Sequence, residues 1–454
     1  MSEIQQITEN KMGIMPVRKL LLSMAWPAML SMTINALYNI VDSIFVAKIS
    51  ENAFTAVSIV NPVQMLIIAL SVGSGVGVNS LIARLLGAHK QEKADQAAST
   101  SILIGMFNYL VFLVIGIFFT KLFVSAYAER GTEIFDSAVI YMQIVCIGSL
   151  FLNVQVMLEK VLQSTGNMVA PMVCSLTGAV INIIFDPILI FGLLGFPKMG
   201  VAGAAVATVF GQFCCFLIGV VIVCKGEHLV RIEIKGFRLD WGIVADIYKV
   251  GFPSIIMQAI GSFMLIFYNM ILAVYSTTAV AILGAYFKIQ SFVFMPVFGL
   301  NQGAMPIMGY NYGARNKVRL METYKFGLFL AMCVMGAGLI LFQTVPEFLL
   351  GMFDASDEML RIGVPALRII SICFLPAAFG IMTSTLFQGT GHGMLSLYAS
   401  LLRQLFGILP LAYILIHIGG VTLSWASFPL AEIIGLTYSA LVLRWLYKKE
   451  IKNM

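Results

Sequence analysis

The sequence predicts an all-α integral membrane protein of twelve transmembrane helices arranged as two pseudo-symmetric six-helix bundles. Three observations carry that prediction. Of 454 residues, 59% are hydrophobic and only 11% charged, a balance that cannot clothe a soluble globule of this size. Apolar stretches of twenty or more residues recur, each long enough at about 1.5 Å per helical residue to cross a hydrocarbon core of about 30 Å. The chain also echoes itself. Trp26-Pro27 returns as Phe252-Pro253, and Leu86-Gly87-Ala88-His89-Lys90 as Tyr312-Gly313-Ala314-Arg315-Asn316, each about 226 positions later.

Taken in order, the expected spans are 16–47, 54–84, 97–126, 136–163, 168–192, 201–224, 243–275, 279–310, 322–348, 360–388, 393–418 and 420–447. The first begins near Lys19 and lacks a small-residue cleavage site after a short apolar core, so it reads as a retained helix. None alternates in polarity over about ten residues, which excludes the strand pattern of a β-barrel. Several exceed the minimum length and must tilt or kink. The longest polar connection, 226–242, separates a lobe over 1–225 from a lobe over 243–454. A third echo, Leu162-Gln163-Ser164-Thr165-Gly166 against Phe387-Gln388-Gly389-Thr390-Gly391, keeps the correspondence into the fifth connection. Repeats of this kind share an orientation and enclose a central cavity.

Orientation follows from Lys and Arg, because basic loops resist translocation. The N-terminus, the 2–3, 6–7 and 8–9 loops, the C-terminus and Lys160 together hold nineteen; the opposite side holds Lys48, Lys121, Arg130, Lys198 and Arg361. Both termini are therefore expected in the cytoplasm, with the chain multi-pass in a bacterial inner membrane as a monomer. The net charge of +6 is spread over these loops without a contiguous patch, which argues against nucleic acid as a partner. The seven cysteines lie in or at the ends of apolar segments without metal-ligand spacing, and read as packing residues. His89, His228, His392 and His417 fall in loops or at helix ends, again without metal spacing, so no enzymatic centre is expected.

Ionisable groups inside a span are costly and normally face a cavity or a partner. Asp42 lies in the first span, with Tyr38 one turn earlier on the same face. Asp186 lies in the fifth, with Asn182 one turn earlier and Pro187 next. Proline has no N–H, so the carbonyl of Ile183 is released toward the same site. Carboxylate, amide and free carbonyl together suit a hard cation or a proton. The positions 226 later are Tyr268 and Ala412, neither acidic, so the site is one-sided. Lys288, Arg368, Arg403 and Glu432 are further intramembrane charges that serve a pathway or form structural pairs. Methionine, 27 in all, offers pliant surface for apolar ligands; Met257, Met264 and Met295, with Asn39 and Asn153, are candidates to line a substrate cavity.

At these residues the chain resembles the multidrug and toxic compound extrusion (MATE) family, nearest its MepA- and DinF-like bacterial branch. The resemblance rests on Trp26-Pro27, Asp42, Leu86-Gly87-Ala88, Gln163-Ser164-Thr165-Gly166, the run from Asn182 to Gly192, and Gly200-Val201-Ala202-Gly203-Ala204-Ala205 with Thr208. It implies that Asp42 and Asp186, with Tyr38, Asn182 and Thr208, bind the coupling proton or sodium in the first lobe, and that Pro27 is where the first helix bends. Pro187 is read as a second hinge. No cofactor is implied beyond that ion. The expected function is cation-coupled export of amphipathic or cationic compounds, the partners being those substrates and the lipid bilayer. The rival is a flippase for lipid-linked oligosaccharide, a function also found in the wider superfamily, which would need a strongly cationic cavity.

Overall fold

A computed structural model of the protein describes residues 10–225, 229–232, 239–353 and 355–454. Residues 226–228 and 233–238 of the expected connection, His228 included, lie outside the described residues, as does the side chain of Asn39.

The crossing helices are α1 (Val17–Ala47), α2 (Glu51–Gly87), α3 (Gln91–Val124), α4 (Glu133–Ser164), α5 (Val169–Phe191), α6 (Val201–Lys225), α7 (Trp241–Ala273), α8 (Thr277–Gly313) and α9 (Lys317–Thr344), followed by α10 to α12. Helix α10 comes in two pieces, Asp357–Ser371 and Phe374–Gly389, bent by 45°. Pro376 accounts for the bend, because it cannot donate to the Ile372 carbonyl and its ring crowds it. Helices α11 (Gly393–Ser424) and α12 (Ser427–Asn453) complete the set. The expected boundary near 418–420 is a break inside α11: Gly419 is non-helical and Gly420 has φ +68°, so the last turn points away. Among the described residues eleven helices are long and apolar enough to cross a membrane, and the bent α10 makes twelve, in the predicted order.

Within the first six helices, α4 packs on α2, α3 and α6, and α5 on α1 and α6. Within the last six, α9 packs on α8 and α10, and α11 on α7 and α12. The two sets meet through α2 against α7 and α1 against α8.

Local geometry repeats along with the topology. Ser50 accepts the amide of Ala53 at the start of α2, and Ser276, 226 positions on, does the same for Ala279 at the start of α8. His89 and Arg315, again 226 apart, hold left-handed backbone at φ 56° and 54° in equivalent turns.

The seam between the lobes follows the same rule. A Cβ at Gly73 would strike Ile255, and one at Gly299 would strike Met29. One at Gly77 would meet the backbone of Ile247 and Gly251, and one at Gly303 that of Ala25. One at Gly87 would land on the Tyr310 carbonyl, and one at Gly313 on the Arg84 carbonyl. In these three pairs the glycine recurs 226 positions later and an obstacle 226 positions earlier; Ile247, whose carbonyl is the nearest neighbour of Gly77, has no such counterpart at Gly303. Small residues are what allow helix backbones to approach this closely without a hydrophobic drive between them.

Polar contacts tighten the same half of the molecule. Ser80 donates to the Gln388 carbonyl of α10, and the Lys160 ammonium reaches Gln302 of α8 at 3.2 Å and Gln163 at 2.9 Å. Lys160, counted with the basic side and inside the expected span 136–163, is a buried residue of α4. The segment ahead of α1 lies across the seam: Met12 is fully buried, and its carbonyl accepts from Arg319 of α9 at 3.0 Å. Gln258 to the Ala69 carbonyl, 3.4 Å, is the described cross-lobe bond furthest from the basic loops. The lobes are sealed on the face that carries those loops.

Candidate functional site

The far ends of α1 and α5 bring the two predicted acids together. Asp42 stands five residues before Ala47, and Asp186 five before Phe191. At about 1.5 Å per residue both lie about 7 Å from their helix ends, on the unsealed half. Asp42 thus stands near the far end of the 31-residue α1.

The carboxyl groups of Asp42 and Asp186 lie against each other. Two carboxylates offer only acceptors, so such a pair favours uptake of a proton or a cation. Asp186 is fully buried and accepts from Asn182 Nδ2 at 3.4 Å; the same Nδ2 stands 3.4 Å from Thr208 Oγ1 of α6. Thr208 donates to the Ala204 carbonyl at 3.0 Å. Three buried oxygens of this cluster, Asp42 Oδ1, Asp186 Oδ2 and Asn182 Oδ1, have no hydrogen-bond partner among the described residues. Such atoms cost free energy unless a proton or cation completes them. Tyr38 lies within electrostatic reach of both acids.

Tyr141 of α4 is a member of the cluster that the sequence reading did not include. It is buried, within electrostatic reach of Asp42, Asp186 and Tyr38, and its hydroxyl accepts from Gln64 Nε2 of α2 at 3.2 Å. A tyrosine in an apolar helix has no local signal of its own; only the packing of α2, α4 and α5 around α1 selects it.

The prolines divide in position. Pro27 is buried where α1 crosses the seam, beside the Ala28–Gly299 contact. Pro187 follows Asp186 inside α5, and its missing N–H leaves the Ile183 carbonyl without its helical donor.

The proposed cavity residues separate as well. Asn153 is fully buried, accepting from Ser71 and donating to the Ser149 carbonyl at 2.8 Å, which makes it a bridge between α2 and α4. Met264 is buried in the core of the second lobe. Met257 and Met295 are half-buried, and Met257 Sδ lies 3.9 Å from Gln388 Nε2. Among the remaining intramembrane charges, Arg403 and Glu432 pair at 3.2 Å, whereas Lys288 and Arg368 are exposed.

The MatE family model matches residues 27–188 and again 253–414, so that both ends of the second match lie 226 positions after those of the first. The chain belongs to the multidrug and toxic compound extrusion (MATE) family. This MATE protein is 25% identical over 408 residues to the multidrug export protein MepA of Staphylococcus aureus, covering 90% of this chain and 89% of that one. A multidrug resistance MATE family transporter of the MOP superfamily, solved outward-facing, superposes with a TM-score of 0.89 at 26% identity over 97% of this chain and 99% of that one. A MOP superfamily transporter from Pyrococcus furiosus, described as having a binding pocket of reversed polarity that suggests a different function, superposes at 0.88 with 26% identity over the same shares of the two chains. Residues 27 to 414, bounded by the two matches, contain every site residue named above.

Proposed function

We propose that this MATE protein is a cation-coupled antiporter that exports amphipathic or cationic compounds from the cytoplasm by alternating access. The observation that carries the reading is the Asp42–Asp186 contact with its three unpartnered oxygens, placed on the half where the lobes are not sealed. Likeness to MepA, a multidrug export protein, supports the substrate class.

The cycle follows from charge. From the open side, a proton or sodium ion enters the cluster, where Asp42, Asp186, Asn182 and Thr208 supply oxygens suited to a hard cation. Neutralising the pair removes the cost of buried charge and favours the state in which that half closes. Helix α1 pivots at Pro27, the glycine seam parts, and the ion leaves to the cytoplasm. The recharged pair then favours a cationic amphiphile from that side. A ligand shifts such an equilibrium only by binding the two states unequally, and the charge of the pair supplies the difference. The basic loops support a cytoplasmic sealed face and cytoplasmic termini in an inner-membrane protein. Lobes 1–225 and 243–454, joined by 226–242, move as bodies, and one chain, which encloses the whole cleft, works as a monomer.

The test is ethidium accumulation in efflux-deficient cells. Wild type lowers accumulation in a gradient-dependent way and Asp186→Asn, expressed and inserted to the same level, does not. Equal efflux by the two overturns the coupling role of Asp186.

A further inference from the structure

On the basic face, away from the acid pair, an open groove of about 940 Å³ runs between the start of α1, the first turns of α9 and the end of α12. Arg18, Lys317 and Lys325 stand at its mouth; Phe326, Phe329 and Tyr447 form its wall. The wall is ordered and apolar. The Phe326 and Phe329 rings stack with centroids 6.4 Å apart, and Phe329 is 60% exposed although it lies twelve residues inside an apolar span.

The cations are held but not neutralised. The Arg18 guanidinium sits 5.7 Å from the Phe326 ring centroid, and Lys317 donates to the Lys452 carbonyl at 3.1 Å. Among the described residues none of the three forms an ion pair, and Glu322 is the one carboxylate in the groove. Three positive charges against one negative, two at helix starts and Lys325 two turns into α9, beside an exposed aromatic wall, match a headgroup that is anionic and an acyl chain that continues inward. Basic pockets between helix ends recognise anionic lipid headgroups in this way. Soluble anions would use the mouth and leave the Phe329 floor in contact with nothing complementary.

We infer that this groove is a specific site for an anionic phospholipid of the adjoining leaflet, its phosphate held by Arg18, Lys317 and Lys325 and an acyl chain lying on Phe326 and Phe329.

The experiment is native mass spectrometry of the detergent-purified full chain, titrated with cardiolipin or phosphatidylglycerol against phosphatidylcholine. Wild type retains the anionic lipids in preference, and raised salt weakens that preference. The triple variant Arg18→Gln/Lys317→Gln/Lys325→Gln loses it by about tenfold or more, since each surface cation contributes measurably to anionic lipid attraction. Lys90→Gln/Lys93→Gln, which removes two cations of the same face from outside the groove, keeps it. Single variants Lys317→Gln and Lys325→Gln give intermediate losses and serve where the triple variant does not fold. Glycerol phosphate at equal concentration fails to compete. No anionic preference in wild type, retention of that preference in the triple variant, or full competition by glycerol phosphate each overturns the inference.

Discussion

At the far end of α1, Asp42 meets Asp186; 226 positions later the same two places in the fold hold Tyr268 and Ala412, both fully buried. There the polar cluster is replaced by packing. Tyr268 donates to the Ser424 carbonyl at 3.0 Å and stacks on Trp425 with centroids 6.1 Å apart, while Phe428 closes the other side at 5.1 Å. Asn182 has Ile408 as its counterpart, also buried. Yet the glycines of the seam and the Ser50 and Ser276 caps agree across the halves almost neighbour for neighbour. Duplication has been kept where backbones must meet and abandoned where charge must sit. On the proposed mechanism a seam that opens and closes as a unit needs both sides to fit, whereas one titratable cluster is enough to bias it.

The sharpest break of that asymmetry is to neutralise one acid in each half. Asp186→Asn is expected to remain folded and lose gradient-driven transport altogether. Glu432→Gln, on the other side, is expected to keep coupling and lose stability by about 1–3 kcal/mol, because it strips Arg403 of its partner in a half-buried pair. Thermal unfolding in detergent beside a transport assay separates the two outcomes.

The symmetric seam calls for the opposite result. Gly87→Ala and Gly313→Ala each press a methyl group onto a carbonyl of the other lobe, and each is expected to cost the sealed state about 1–3 kcal/mol. Their effects on a cysteine-accessibility measurement of the basic face should match to within about 0.5 kcal/mol, the tolerance of independent sites. A large difference between them would break the claim that the seam is equivalent on its two sides.

How much of this the sequence made legible depends on the kind of signal. Twelve spans, their order and the 226-residue correspondence were readable because apolar length and repeated Gly and Pro are local properties. Asp42, Asp186 and Asn182 were readable because charge and amide are rare in lipid and spaced by helical turns. Tyr141 and Gln64 were not, since nothing in their own helices marks them; they join the site only when α2, α4 and α5 surround α1. Asn153 shows the converse. As a polar residue in a span it looked available, and the structure commits both its ends to Ser71 and Ser149. Lys160 was legible as a cation on the basic side, but not as a buried one, because only the packing of the end of α4 into the seam covers it.

The smallest effect tests the repeated turns. His89→Gly and Arg315→Gly relieve left-handed backbone at equivalent places and are each expected to raise stability by up to about 1 kcal/mol, measured as a rise in the unfolding midpoint. Gain at one turn and loss at the other would show that the two are not under the same strain.

The most direct test of the one-sided coupling site is release of the ion itself when substrate is added to purified protein, followed by pH in unbuffered solution without sodium and by radioactive sodium with it. Wild type and Glu432→Gln should release an ion under one of the two conditions, and Asp186→Asn under neither. Release by Asp186→Asn equal to wild type, or its loss in Glu432→Gln alone, would contradict the account.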